Sequence, residues 1–361
     1  MSEQVRPVPA DPFGPPAPAA PPAAPPAAPH GDPLALSDEQ FAAAYGDRYP
    51  PLPYHQLLRA GPRFGFWWAL LGTVLLAVTM VLLAPLVWLL PFVVGVALSG
   101  GDVGAWLLGV SSLSDPTPSM LAYLMLTLAS LIPACWFVVR VVHGVRPRWL
   151  TSVAPRMRWR WFATCLGLAV VALVATVVVS AVLPAGTGGA ETDGSLNAFT
   201  ATTLWFLLVV VLIVPFQAAG EEYLFRGYLT QALGGVFGSR WVAVLLPALL
   251  FALAHGLGQS VPVFFDRFAF GVVAGVLVIA TGGLEAAIAM HVLNNFLAFG
   301  LALAVGDLGS SLNPTGGSWW MIPSTLTQSL VFLGLTVLVA RRTGLATHAT
   351  GRALVASQRR V

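Results

Sequence analysis

Leu204-Trp-Phe-Leu-Leu-Val-Val-Val-Leu-Ile-Val-Pro-Phe-Gln217-Ala-Ala-Gly-Glu-Glu-Tyr-Leu-Phe-Arg226 is an apolar run that passes, with no turn signal, into two adjacent carboxylates and an arginine. The run Leu204 to Phe216 reads as a membrane helix. Continued through the polar residues, that helix places Glu222 and Arg226 at i and i+4 with the acid first, the favourable order for an ion pair. Glu221 stands about 100° round the helix, and no second cation lies within a turn of it. Charges at membrane depth are costly, so such a cluster reads as a functional site. A structural ion pair accounts equally well for Glu222 with Arg226, but not for Glu221.

The rest of the chain fits a lipid setting. Of 361 residues, 57% are hydrophobic and 9% charged, with a mean hydropathy of +0.80. Soluble proteins average about 25% charged residues. The expected class is an all-α polytopic membrane protein with about eight transmembrane helices and an intramembrane polar site. A net charge of +3 gives no reason to expect nucleic acid. All 18 basic residues are arginine, which with abundant Ala, Gly, Val and Pro suggests a GC-rich bacterial genome. Cys135 and Cys165 fall in apolar runs and read as small fillers, not as a disulfide or a CxxC metal site.

Three regions are expected. Residues 1–60 form a Pro/Ala-rich, disordered cytoplasmic tail, too poor in apolar surface to fold. Within it Ser37-Asp-Glu-Gln40 offers a capping box for a short juxtamembrane helix. There is no basic start followed by an apolar core, so it is not read as a signal peptide. Residues 61–342 form the membrane domain, and 343–361 a basic cytoplasmic tail. Spans of about 20 residues are expected at 66–98, 120–142, 161–183, from 202 into the Glu221 region, and at 241–254, 268–281, 284–305 and 322–340. The sixth is short enough to suggest a tilted or incomplete crossing. With the N-terminus inside, seventeen arginines fall on the cytoplasmic side and only Arg267 outside, a positive-inside pattern. The outer loops then hold Asp102, Asp115, Glu191, Asp193, Asp266 and Asp307. The basic loop from Arg140 to Arg160, with Trp149, Trp159 and Trp161, reads as an interfacial anchor to anionic lipid.

Two histidines lie inside apolar spans. His255 ends Phe251-Ala-Leu-Ala-His255, and His291 begins His291-Val-Leu-Asn-Asn295, with Asn295 one turn on. Taken singly, either histidine has an equally good structural reading, bonded to a backbone carbonyl. At a rise of about 1.5 Å per residue, Glu221, His255, His291 and Asn295 reach compatible depths on three spans. Pro215 and Pro247 are placed to bend two of these helices and open a wet cavity. A glutamate and a histidine sharing a water can deprotonate it for attack on a carbonyl. A second histidine with an asparagine amide can stabilise the oxyanion.

Glu221-Glu222-x-x-x-Arg226, Phe251-x-x-x-His255 and His291-x-x-x-Asn295 resemble, in order, spacing and placement, the three motifs of the CPBP family. These are CAAX-type prenyl endopeptidases and bacteriocin-processing, or Abi, proteins that act as intramembrane proteases. The resemblance covers about residues 202–305. It implies an eight-helix fold, Glu221 and His255 as the water-activating pair, and His291 with Asn295 as oxyanion stabilisers. Glu222 with Arg226 would support the helix face that aims Glu221. The family has been described both as glutamate proteases and as metalloproteases. Glu221, His255 and His291 have the chemistry to ligate zinc, but the usual His-Glu-x-x-His helix is missing, and no cofactor is the preferred expectation.

The expected partners are the bilayer and a membrane-associated protein or peptide substrate, in a bacterial plasma membrane with both termini cytoplasmic. A proton-coupled transporter is the rival reading, since buried Glu and His also relay protons. Transporters often show repeated halves, whereas the polar residues here cluster in the second half. A non-catalytic scaffold or immunity protein is the third. Aspartyl and serine intramembrane proteases fit less well, because no aspartate is expected within a span and no Gly-x-Ser sits at depth beside a histidine.

Overall fold

The computed structural model describes residues 33–45, 49–113, 115–183, 195–256, 258–312 and 317–358. The Pro/Ala-rich stretch before Pro33 and the expected outer-loop acids Glu191 and Asp193 lie outside these. Among the described residues, seven helices are long and apolar enough to cross a membrane, and a shorter apolar one stands between the fourth and fifth of them. In chain order they are α1 (Phe66–Leu98), α2 (Pro118–His143), α3 (Trp159–Val182), α4 (Ala201–Phe237), α5 (Arg240–Ala254), α6 (Val261–Thr281), α7 (Glu285–Val305) and α8 (Met321–Arg342). The all-α polytopic membrane fold is as expected. The short helix, however, is α5 with 15 residues, while the sixth begins at Val261 and runs for 21. Asp266 and Arg267 had suggested a loop. They lie on α6 instead, where they face a cavity and leave the helix unbroken. The expectation that no aspartate lies within a span is therefore wrong at Asp266.

Helix α4 carries the acids and is the most irregular of the set. Thr200 Oγ1 accepts the Thr203 amide at its start, satisfying a donor that the first turn leaves free. At Ile213 φ is −111°, just before Pro215, which has no N–H to give the preceding turn. Tyr223–Leu229 is π-helical, a widening that recurs near functional sites. Gly238, at φ +69°, ends the helix in a conformation glycine adopts without strain. The polar residues around Glu221 are thus borne on a helix that continues past it to Phe237.

Close approach of helices sets where that acid lies. A Cβ on Gly220 would collide with the Leu128 carbonyl of α2. Small residues at such crossings let backbones meet where lipid supplies no hydrophobic drive. Lipid-facing side chains lie mostly on the outer helices, as with Trp67, Val81 and Leu90 of α1, which are 75%, 72% and 69% exposed. Cys135 and Cys165 are free and buried, as fillers should be.

The segments flanking the bundle pack more than expected. Ser37 and Gln40 do form the reciprocal capping box, and the short helix Asp38–Tyr45 follows. Tyr54, Leu57 and Leu58, expected in the tail, are buried in the core. Leu52–Pro53 (β1) pairs antiparallel with His348–Ala349 (β2), so both flanks of the membrane domain meet on one side. Leu354 and Val355 of the final helix, Gly351–Gln358, are also buried. The basic loop is likewise no simple lipid anchor. Trp149 and Trp161 are buried and only Trp159 is exposed. Arg158 grips Glu285 through Nε at 2.8 Å and Nη2 at 2.7 Å. Arginine's planar fork makes such bidentate pairs with a carboxylate, and this one fixes the start of α7.

Replacing Gly220 by valine should lower the thermal midpoint of the detergent-solubilised protein, through an overpacking cost of about 1–3 kcal/mol. Gly167→Val is the control, because nothing lies within 4 Å of a Cβ there. The midpoint should hold for the second variant and fall for the first.

Candidate active site

A cavity of about 530 Å³ lies within the bundle, and Glu221, His255, His291 and Asn295 all line it. The four side chains expected to converge from α4, α5 and α7 therefore share one space. Gln217, Asn294, Phe251, Phe270, Asp266 and Arg267 complete its polar and aromatic wall.

The polar network starts from Glu222, which is fully buried. Its Oε1 accepts from Arg226 Nη1 at 3.0 Å and from His291 Nδ1 at 2.8 Å. The i, i+4 ion pair expected along α4 thus has a third member from α7. Because Nδ1–H donates to the carboxylate, the Nε2 side of His291 is turned to the cavity, where it lies 3.5 Å from Glu221 Oε2. Glu221 Oε2 has no hydrogen-bond partner. Two adjacent acids on one helix thus occupy different surroundings: Glu222 accepts two hydrogen bonds through Oε1 and keeps Oε2 buried without a partner, while Glu221 lines the cavity.

Aromatic rings seal the network on its far side. The Arg226 guanidinium stands 4.2 Å from the centroid of Phe251, a cation–π contact strengthened by exclusion of water. Phe251 and Phe270 meet the His291 ring edge-on at 6.0 and 5.3 Å. The same Phe251 packs against His255 at 4.6 Å.

His255 follows the last residue of α5. Its Nδ1–H donates to the Phe251 carbonyl at 2.8 Å, which leaves Nε2 as the acceptor of a neutral ring. The carbonyl bond that served as the structural alternative at the sequence level is therefore present, and it also orients the ring. Asn295 Nδ2 donates to Gln217 Oε1 at 2.9 Å, leaving its second N–H uncommitted in that bond. The Glu221–His255 pairing implied by resemblance appears as two groups on one cavity wall, while the ion-pair contact of Glu221 is to His291.

Several wall residues escaped the sequence reading. Gln217 had a signal, since it precedes Glu221 by four and shares its helix face. Asp266 and Arg267 had one too, as an isolated charged pair beside an apolar run. Phe270 had none. Among the described residues, no three His, Cys, Asp or Glu side chains are grouped as ligands for one ion. Structural and catalytic zinc sites use at least three protein ligands, so the donors as arranged do not fit zinc.

Comparison with known proteins reaches the same part of the chain. Residues 200–297 match a family described as type II CAAX prenyl endopeptidase Rce1-like. This segment is similar to that family. It contains α4 from its cap, all of α5 and α6, and α7 through Asn295, so every residue of the network falls within it. The Rce1-like character indicates a protease, in a chain that is an integral membrane protein. YyaK of Bacillus subtilis (strain 168), described as an uncharacterized protein, is 26% identical over 239 residues, covering 62% of this chain and 77% of that protein. No solved structure matches the chain.

The unequal settings of the two acids give a direct test. Glu222→Gln leaves Arg226 buried without its counter-charge and should cost about 3 kcal/mol or more. Glu221→Gln changes a group that faces the cavity and should cost under about 1 kcal/mol. Thermal unfolding of both variants in the same detergent measures the difference, and equal losses would contradict the division of roles.

Proposed function

We propose that the protein is an intramembrane endopeptidase that hydrolyses a peptide bond of a membrane-associated protein or peptide, using water activated by Glu221 and His255. The observation that carries this reading is the shared cavity, in which an unbonded carboxylate oxygen and an oriented imidazole stand beside a second imidazole and an amide. The Rce1-like segment supports the same class of reaction.

In the proposed step, a water held between Glu221 and the Nε2 of His255 attacks the carbonyl carbon and gives up a proton to this pair. The carbonyl oxygen becomes an oxyanion. It accepts from the free N–H of Asn295 and from Nε2–H of His291 when that ring carries both protons. Glu222, whose Oε1 accepts from both Arg226 and His291, balances the charge on His291. Collapse of the tetrahedral intermediate breaks the C–N bond, and the proton first taken from water passes to the leaving amine. The same cavity is lined by Met80, Leu124, Met125 and Leu128 on α1 and α2, apolar surface suited to a lipid-borne substrate entering laterally or from the cytoplasmic side.

The proposed step uses no metal. The arginine distribution and the pairing of the two flanks on one side support a bacterial plasma membrane setting with both termini cytoplasmic.

Glu221→Ala and, separately, His255→Ala should each reduce cleavage by at least about 100-fold while the protein still inserts. New peptide termini in membranes of cells producing the intact protein, compared with cells producing Glu221→Ala, provide the readout. Wild-type-like cleavage by either variant removes that residue from the mechanism. Incubation of purified protein with a chelator should leave its activity in place; loss of activity that zinc restores would replace the glutamate mechanism with a metal one.

A further inference from the structure

One charged group in the cavity has no part in the step above. Arg267, on the second turn of α6, lines the cavity together with Asp266. Its Nη1 donates to Gln259 Oε1 at 2.9 Å. Gln259 Nε2 in turn donates to the carbonyls of Ala252 and Gly256, at 2.6 and 2.8 Å. Those carbonyls flank His255, so the guanidinium is tied to the loop that carries a proposed base.

Arg226 and Arg267 differ in one respect. Arg226 is buried, ion-paired and covered by Phe251. Arg267 forms no ion pair among the described residues, and Gln259 engages only part of a donor set of five N–H groups. An unpaired cation in a low-dielectric cavity is costly unless something negative comes to it. A guanidinium matches a carboxylate in geometry, offering two parallel N–H donors. Asp266, next to Arg267 on α6, keeps Oδ1 buried without a partner. Its presence beside the arginine favours a singly charged ligand over a doubly charged one.

We propose that Arg267 binds a carboxylate of the substrate peptide and thereby selects which peptide bond is presented to Glu221. This rests on the peptidase reading for the nature of the ligand. The carboxylate comes either from the peptide's C-terminus or from an acidic side chain, and the two sources share the chemistry that the arginine recognises. Arg267 thus acts as a specificity residue.

Binding without turnover tests this separately from catalysis. Full-length Glu221→Gln protein in lipid nanodiscs is titrated with three pools of N-dansyl apolar tetrapeptides. One pool has free C-termini, one has C-terminal amides, and one has C-terminal amides with a single internal glutamate. At least one carboxylate-bearing pool should bind about tenfold more tightly than the plain amides, and adding Arg267→Gln should abolish that preference while sparing amide binding. Arg267→Lys should retain part of it. Preference for the free acids alone identifies the C-terminus as the source, and preference for the glutamate amides identifies the side chain. Equal binding of all three pools, binding of none, or an Arg267→Gln loss that is as large for plain amides overturns the assignment. A protein that selects carboxylates through Arg267 but cleaves nothing would keep this inference and sink the peptidase reading.

Discussion

A single carboxylate oxygen, Oε1 of Glu222, accepts from Arg226 along its own helix and from His291 across the bundle. Each of these groups would be expensive alone in a lipid-embedded core. Removing any one leaves a buried charge or an unsatisfied donor, which costs far more than the assembled group contributes net. The trio therefore constrains everything near it. It ties α4 to α7 and lays the arginine against Phe251 of α5. It also sets the face of the His291 ring that meets the cavity.

Glu221 gains its chemistry from this arrangement. Being next in sequence, it projects about 100° away from Glu222, beyond the trio and into the cavity. The backbone around the two acids is shaped to the same end. The bend before Pro215, the side-chain-free surface of Gly220 and the π-helical turn after Glu222 bring α4 close to α2 while the polar face turns inward. Irregular backbone at membrane depth is tolerated where it lines such a cavity.

A second charge pair, Arg158 with Glu285, works at the first residue of α7. It joins the loop before α3 to the first residue of the helix that carries His291 and Asn295. Val153 N donates to the Gly282 carbonyl at 2.9 Å and Leu284 N to that of Thr151 at 2.9 Å, closing the junction with backbone bonds. A loop that looks like a lipid-facing basic patch is in this way part of the support for α7.

Sequence alone determined the membrane class, the order of the spans and the four residues that share the cavity. Hydropathy and helical spacing are local properties, and charges in apolar runs are conspicuous because they are costly. It also held the i, i+4 pairing of Glu222 with Arg226, which depends only on the geometry of one helix. Tertiary structure decided what lies across from these residues. That His291 bonds Glu222 and that Arg158 is paired with Glu285 are contacts between residues 69 and 127 positions apart, and that Asp266 and Arg267 belong to the cavity instead of an outer loop follows from the packing of α6. No local pattern encodes which face of one helix meets which face of another. That choice is made by packing, through the glycine contacts and aromatic rings that let these helices approach.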